Sequence, residues 1–324
     1  MTDIRFGIIG LGGISTRFAL ALKTVGGVKL TAVAARDPVR TQRFARAFGA
    51  KHEHSSYLDV IDDPDVDIVY IGLTHNFHYE YAKACLERHK AVLCEKPLVT
   101  NYHDAAELVE LAQQNQTFLM EGLWTRCLPA FRMAQGWVHS GRIGEVKLIT
   151  SNFGFKANYD PEGRLFNLKL AGGALFDVGI YPINLAIGIV GEYPTEVIGQ
   201  AAIAPSGVDE ADVISMRFAG GALASLTCGF TSKNASRAYI YGTHGYITLD
   251  NPYGPHIAVL HGETGLATSR YIDWVPDGFT HQIRHVRDLY RQGKLESDLI
   301  PWKDTLETAR IFDALRKQWG LMDL

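Results

Sequence analysis

The sequence predicts an α/β segment built on a parallel sheet, followed by an α+β segment with a largely antiparallel sheet. Three observations carry this prediction. Over residues 1–122, short apolar strand-like runs alternate with runs whose apolar positions recur at helical spacing, the pattern of right-handed crossovers onto a parallel sheet. Past Trp124 the alternation stops, and strand-like runs follow one another across short Gly, Asn and Asp turns. A chain of 324 residues, 47% hydrophobic, is long enough for two cores.

In order, the first part reads as strand "IRFGIIG", helix "ISTRFALALKTV", strand "KLTAVAA", helix "VRTQRFARAFG" ending at Gly49, strand "VDIVYIG" and helix "FHYEYAKACLERH". Strand "AVLCE", helix "NYHDAAELVELAQQN" and strand "TFLMEG" complete it. The second part, residues 123–324, opens with helix "PAFRMAQGWVHSG" and strand "EVKLITSNFGF", then a helical patch around "DVGIYPINLAIGIV". Strand runs "TEVIGQAAIA", "ADVISMRFAG", "ALASLTCGF", "RAYIYGTHGYITLD" and "HIAVLHG" precede two closing helices, "THQIRHVRDLYRQG" and "KDTLETARIFDALRKQWG".

The formal charge of −3, from 32 basic and 35 acidic residues spread along the chain, gives no basic footprint for nucleic acid or an anionic membrane. A small-molecule partner is the expectation. Four cysteines without a CxxC pair fit a reducing compartment, and "MTDIRFGIIGLGG" begins a strand at once rather than a leader, so the cytoplasm is expected. No uninterrupted apolar run of membrane-spanning length stands out.

Gly10, Gly12 and Gly13, followed by Ile14, lie between the first strand and the first helix. Glycines there permit a tight turn and close approach of a dinucleotide pyrophosphate to the positive end of a helix. Ser15 stands where a third glycine is usual. At the end of the second strand an acidic residue would hold a free adenosine ribose, but this chain has Arg36, with Arg40 one turn on. NADP is therefore preferred, and Asp37 leaves room for NAD.

The motifs "GIIGLGGIS", "VAARD", "THNFHYEYA", "EKPL" and "GGALFDVGIYPINL", in this order, resemble the glucose-fructose oxidoreductase / inositol dehydrogenase (Gfo/Idh/MocA) family over nearly the whole chain. "MEGLWTRCLPAF", "DVGIYP" and "IYGTHGYITLDNPY" resemble its branch of dihydrodiol and NADP-dependent D-xylose dehydrogenases. The resemblance implies a Rossmann domain followed by a substrate domain whose open sheet serves a homodimer or higher homo-oligomer. It implies that Lys96 lies beside the nicotinamide, that Tyr181 is the acid/base and that Asp177 lines the same site. Thr74, Asn76 and His78 match a cofactor segment in which His75 replaces a proline, and Glu95 is placed at the lysine or the nicotinamide ribose.

The chemistry has a physical basis. An isolated tyrosine, with a pKa near ~10, is a poor base at neutrality, and a neighbouring ammonium favours its phenolate. Trp124 and Arg126, following the last strand of the first part, are candidates for a sugar or arene platform, with Phe153, Phe155 and Phe279 as further wall candidates. The pairs His52/His54 and His75/His78 could imitate metal pairs, but no supporting constellation of cysteines or carboxylates is evident, so no metal is assigned. The expected activity is hydride transfer between NAD(P) and a polyhydroxylated substrate, with aldose C1 oxidation favoured over trans-dihydrodiol oxidation. The alternative is a catalytically silent dinucleotide-binding sensor.

Overall fold

The computed structural model describes residues 2–275 and 277–321. The chain forms two compact units, Met1–Leu123 with Val275–Leu306, and Trp124–Trp274 with Glu307–Leu324.

The first unit is wound as the alternating pattern predicts. Its elements are β1 (Ile4–Ile9), α1 (Gly13–Leu22), β2 (Val28–Ala34), α2 (Pro38–Phe48), β3 (His52–His54), α3 (Tyr57–Asp62) and β4 (Ile68–Ile71). Then come α4 (His78–Glu87), β5 (Ala91–Glu95), α5 (Tyr102–Gln114) and β6 (Leu119–Gly122). The six strands are parallel in the order β3-β2-β1-β4-β5-β6. Sequence order reverses between β1 and β4, where open α/β sheets leave a crevice beyond the carboxyl ends of their strands. Residues of β4 and β5 are buried throughout, as a sheet covered on both faces requires. The edge strand β3 is absent from the sequence pattern: "HEH" is two half-buried histidines flanking an exposed glutamate, with no apolar face to read.

The second unit opens with α6 (Pro129–His139), β7 (Val146–Gly154) and α7 (Ile180–Val190). It continues through β8 (Pro194–Ile203), β9 (Asp209–Phe218), β10 (Leu223–Gly229), β11 (Ala238–Gly242), β12 (Gly245–Leu249), β13 (Ile257–His261) and β14 (Ala267–Ile272). Its eight strands run β14-β13-β12-β11-β7-β10-β9-β8, antiparallel except for the β7/β10 pair. On β9 the alternation of buried and exposed residues places one face on the core and the other outward.

The helical run Leu168–Val190 reaches a mean hydropathy of 1.6, but 89% of that window is buried within the protein, which marks a core helix. The sequence shows no such run at first sight because Asp177, Tyr181, Pro182 and Asn184 interrupt it.

α8 (Phe279–Arg291) and α9 (Trp302–Gln318) close the chain. The sequence pattern divides the chain once, after residue 122, yet residues 275–306 fold with the first unit. Phe279 of α8 meets Phe18 of α1 edge-on at 5.8 Å, and Trp302 Nε1 donates to the Leu119 carbonyl at 2.8 Å. A returning helix with a strongly apolar stripe buries it wherever a complementary face is open, which local periodicity does not reveal.

Candidate active site

In the first unit the glycine turn has the shape its sequence demands. Gly10 has φ +81°, and a Cβ there would lie 2.6 Å from the Gly72 carbonyl oxygen, so no other residue fits without a backbone shift. Gly12 and Gly13 face open space, and no side chain caps the amino end of α1. Ser15 is buried and donates to the Gly10 carbonyl, so its hydroxyl tightens the turn in place of the third glycine. Exposed backbone N–H groups at an uncapped helix start suit a pyrophosphate, and the residues present fit a dinucleotide.

Arg36 and Arg40 lie exposed beyond the carboxyl end of β2. The Asp37 carboxylate accepts the Val39 N–H at 2.9 Å and caps α2, so the acidic residue nearest the strand end is engaged locally.

β5 delivers Glu95 and Lys96, both buried, into a turn through a cis Lys96–Pro97 peptide. Polar partners fasten that turn from three directions. Glu95 accepts the Tyr70 hydroxyl at 2.6 Å, and Tyr70 stacks on Phe18 at 3.8 Å. Glu121 accepts the Leu98 N–H and the Thr305 hydroxyl, each at 2.8 Å. The fully buried His78 ring sits 2.7 Å from the Pro97 carbonyl through Nδ1 and 3.1 Å from the Leu73 carbonyl through Nε2.

Burial raises the Glu95 and Glu121 carboxyl pKa values, opposed by those hydrogen bonds and by Lys96, and burial lowers that of His78. His78, expected at the cofactor, is a bracket between two loops instead. Thr74 donates to Asn76 Oδ1 at 2.7 Å within the adjoining turn, on its exposed side.

In the second unit Tyr181 opens α7 and is 9% exposed. Its ring meets Phe153 edge-on at 5.5 Å and Tyr253 at 5.9 Å. Phe153 and Tyr253 stack at 4.4 Å, and Trp124 lies 6.1 Å from Tyr253. The structure thus brings together Trp124, Phe153 and Tyr181, all singled out from the sequence. Tyr253 was not, although "DNPY" ends one of the motifs above.

Three other wall candidates are placed differently. Phe155 packs on Phe230 at 5.3 Å against a core cluster, and Phe279 is buried in the first unit under Arg17. Arg126 is buried, donating to the Asn184 carbonyl at 2.8 Å and lying over the Phe131 ring. These side chains serve cores; buried aromatics do so more often than they line sites.

Before Tyr181 the chain makes a wide π-helical turn over Leu175–Gly179. Pro182 has no N–H to donate and crowds the preceding turn, and the wider turn accommodates it. The regular helix expected from Asp177 through Tyr181 is therefore interrupted. Asp177 accepts from Arg164 at 3.0 Å.

Beneath this turn lie two buried carboxyls the sequence reading missed. Asp209 Oδ2 accepts the Leu175 N–H at 2.6 Å, and the Cys228 thiol donates to Asp212 at 3.1 Å. Burial raises the pKa of both carboxyls, and the Asp209 charge adds to the rise at Asp212, to about 9, so the pair holds a proton well above the usual carboxyl range. Gly173, at φ +125°, has no room for a Cβ, which would come 2.3 Å from Asp209 Oδ1. The Asp209 carboxylate occupies the space beside that glycine.

Residues 4–123 match the model of an oxidoreductase family with an NAD-binding Rossmann fold, and residues 131–248 match the Gfo/Idh/MocA C-terminal domain. The chain belongs to the Gfo/Idh/MocA oxidoreductase family. Among its relatives are the trans-1,2-dihydrobenzene-1,2-diol dehydrogenases of Mus musculus, 31% identical, and Homo sapiens, 32% identical, each alignment covering 98% of this chain and 97% of the relative.

A 3-ketoreductase from Actinomadura kijaniata, solved with NADP and TDP-benzene, superposes with a TM-score of 0.87 at 26% identity over 98% of each chain. An aldose-aldose oxidoreductase from Caulobacter crescentus, at 24% identity, shares the fold with a TM-score of 0.89 over 98% of each chain. Membership in this Gfo/Idh/MocA family makes the glycine turn of the first unit part of a nicotinamide-dinucleotide domain. It also makes the sheet of the second unit the family's C-terminal domain.

Proposed function

We propose that this oxidoreductase transfers hydride between NADP and a secondary carbinol of a vicinal diol or cyclic sugar, with Tyr181 as proton relay and Lys96 as its electrostatic partner. The observation that carries the reading is the placement of Tyr181 on a fixed turn against Phe153 and Tyr253, with Trp124 packed on Tyr253 in turn. Such aromatic faces suit an arene diol or the apolar face of a sugar ring. The 3-ketoreductase above is named for reduction of a ketone, and the diol dehydrogenases for oxidation of a cyclic diol.

When bound, the nicotinamide supplies a two-electron hydride acceptor or donor. In oxidation, the Tyr181 phenolate removes the hydroxyl proton as the carbinol C–H electron pair leaves; in reduction, the Tyr181 phenol returns that proton to the carbonyl oxygen. A lysine ammonium ~4 Å from the phenol favours the phenolate by up to ~4 kcal/mol at an effective dielectric of ~20, enough to make a tyrosine a usable base. Lys96 also favours the alkoxide that develops on the substrate.

The preference for NADP rests on Arg36 and Arg40 at the end of β2 and on the use of Asp37 as a helix cap. Assembly as a homodimer rests on Ile198, Val213 and Leu223, exposed apolar side chains of the adjacent strands β8, β9 and β10. Light scattering in solution checks that state. A cytoplasmic setting fits four buried cysteines.

Initial rates with trans-cyclohexanediols, trans-dihydrodiols and aldoses, each with NADP and NAD, test the proposal. The expected result is turnover of at least one cyclic diol or aldose, a higher kcat/KM with NADP, and a preference that drops about tenfold in Arg36→Ala, the loss of one charged hydrogen bond. No turnover across the panel overturns the substrate class, and an unchanged ratio in Arg36→Ala overturns the cofactor assignment.

A further inference from the structure

We propose that His52, His54 and Asp63 form a divalent transition-metal site, Zn²⁺ being the best-matched ion, at the β3 edge of the nucleotide-binding sheet. His52 and His54 are two apart on β3, so their side chains leave the same face of the strand. The sequence alone shows this pair without a third ligand. Folding supplies it: Asp63, the residue just after α3, turns its buried carboxylate to the pair.

Asp63 Oδ2 lies 2.6 Å from His52 Nδ1 and 2.9 Å from His54 Nε2. The three ligand atoms lie within 4.8 Å of one another. Two imidazoles and one carboxylate are a donor set for zinc and its neighbours, with metal–ligand bonds of about 2.0–2.2 Å and room for solvent in the remaining position. The His52 and His54 side chains are 29% and 26% exposed, so water and an entering ion reach them. Ligand atoms on one tetrahedral ion lie about 3.3–3.6 Å apart, so seating the ion requires the two ring nitrogens to move back from Asp63 Oδ2, and the exposed sides of the rings leave them free to do so.

The surroundings resemble the outer shell of a metal site. Asp63 Oδ1 accepts the Asp65 N–H at 2.8 Å, which fixes the carboxylate and leaves Oδ2 directed into the cluster. His52 Nε2, away from the cluster, faces Asp65 Oδ2 at 3.8 Å, and a carboxylate behind a ligating histidine fixes its tautomer and raises its basicity. Arg5 and Lys51 bind Asp65, at 2.9 and 2.8 Å, which leaves Asp63 as the carboxylate for the ion.

In the metal-free protein the ring nitrogens facing Asp63 donate N–H bonds to it, since an ionised carboxylate only accepts. Metal binding needs lone pairs at those two nitrogens. The protons then move to His52 Nε2 and His54 Nδ1, or leave to solvent, and the ion–nitrogen bonds replace the two hydrogen bonds. The site clips a three-residue edge strand to the turn after α3, and its role is structural.

Titration calorimetry of the chelator-stripped full chain with zinc chloride tests the site. The expected result is one Zn²⁺ per chain with a micromolar or tighter Kd, weakened at least tenfold in His54→Gln and in His52→Ala, while NADPH binding, followed by fluorescence, stays unchanged. Should a variant fold poorly, the wild type decides alone: zinc-edge anomalous diffraction from a soaked crystal must place the ion between these three side chains. Binding weaker than millimolar, or an ion elsewhere, leaves a hydrogen-bonded His–Asp–His cluster and overturns the proposal.

Discussion

The turn that carries Lys96 and the turn that carries Tyr181 are both buried, yet they are held by opposite means. The Lys96 turn is fastened by polar groups that reach in from β4, β6 and α4, each through a short hydrogen bond to a side chain or a backbone group. The Tyr181 turn is fastened on one side by aromatic faces and on the other by a buried carboxyl pair whose pKa values burial raises. Polar brackets fix geometry but are costly when one partner is lost, whereas aromatic packing tolerates exchange and a proton-holding pair adds sensitivity to pH.

The largest effect that sharpens this contrast is chemical. Tyr181→Phe keeps the ring and its aromatic contacts and removes only the hydroxyl. Steady-state rates should fall about 10²–10⁴-fold, as for loss of a general acid/base, with NADPH affinity unchanged by fluorescence titration. Full activity in the variant would remove Tyr181 from the reaction.

Next is the bracket under Lys96. Glu121→Ala leaves the buried Leu98 N–H and Thr305 hydroxyl without their acceptor and should cost about 1–3 kcal/mol in urea unfolding, together with a loss of kcat. A variant as stable as wild type would show that the bracket is dispensable.

The carboxyl pair gives a smaller effect with a definite sign. Asp212 has a raised pKa in the folded chain, so the native state holds a proton that the unfolded state has released. Stability is therefore fully present at acid pH, below the usual carboxyl range near ~4, and declines as pH rises towards about 9. Asp212→Asn cannot titrate, so its melting temperature relative to wild type should rise steadily between pH 5 and pH 9, limits set at about the two pKa values. A pH-independent difference would show that Asp212 is not the proton holder. The smallest effect is expected on the aromatic side, where Phe155→Leu should leave KM unchanged and Phe153→Leu should raise it a few-fold.

The same contrast explains how much was legible in the sequence. Apart from β3 and α3, the strands and helices of the first unit are legible local features, and so is the turn at Gly10, because periodicity and backbone sterics depend on near neighbours. Lys96 and Tyr181 were legible through the motifs around them.

What holds them was not. Glu121 acts on Leu98, Asp209 on Leu175 and Asp63 on two histidines earlier in the chain, and no spacing rule announces such partners. Phe155 and Phe279 looked like Phe153 because an aromatic residue has the same appearance in a core and in a site. The wide turn before Tyr181 left one trace, Pro182, which signals a distortion but not its form.

The pH dependence of kcat/KM for oxidation, compared between wild type and Lys96→Met, tests the Lys96–Tyr181 pairing most directly. If the ammonium stabilises the phenolate, the acidic limb of the profile moves to higher pH by one or more units of about 1.4 kcal/mol each when the charge is removed. A limb that stays where it was, with only its height reduced, would contradict the pairing.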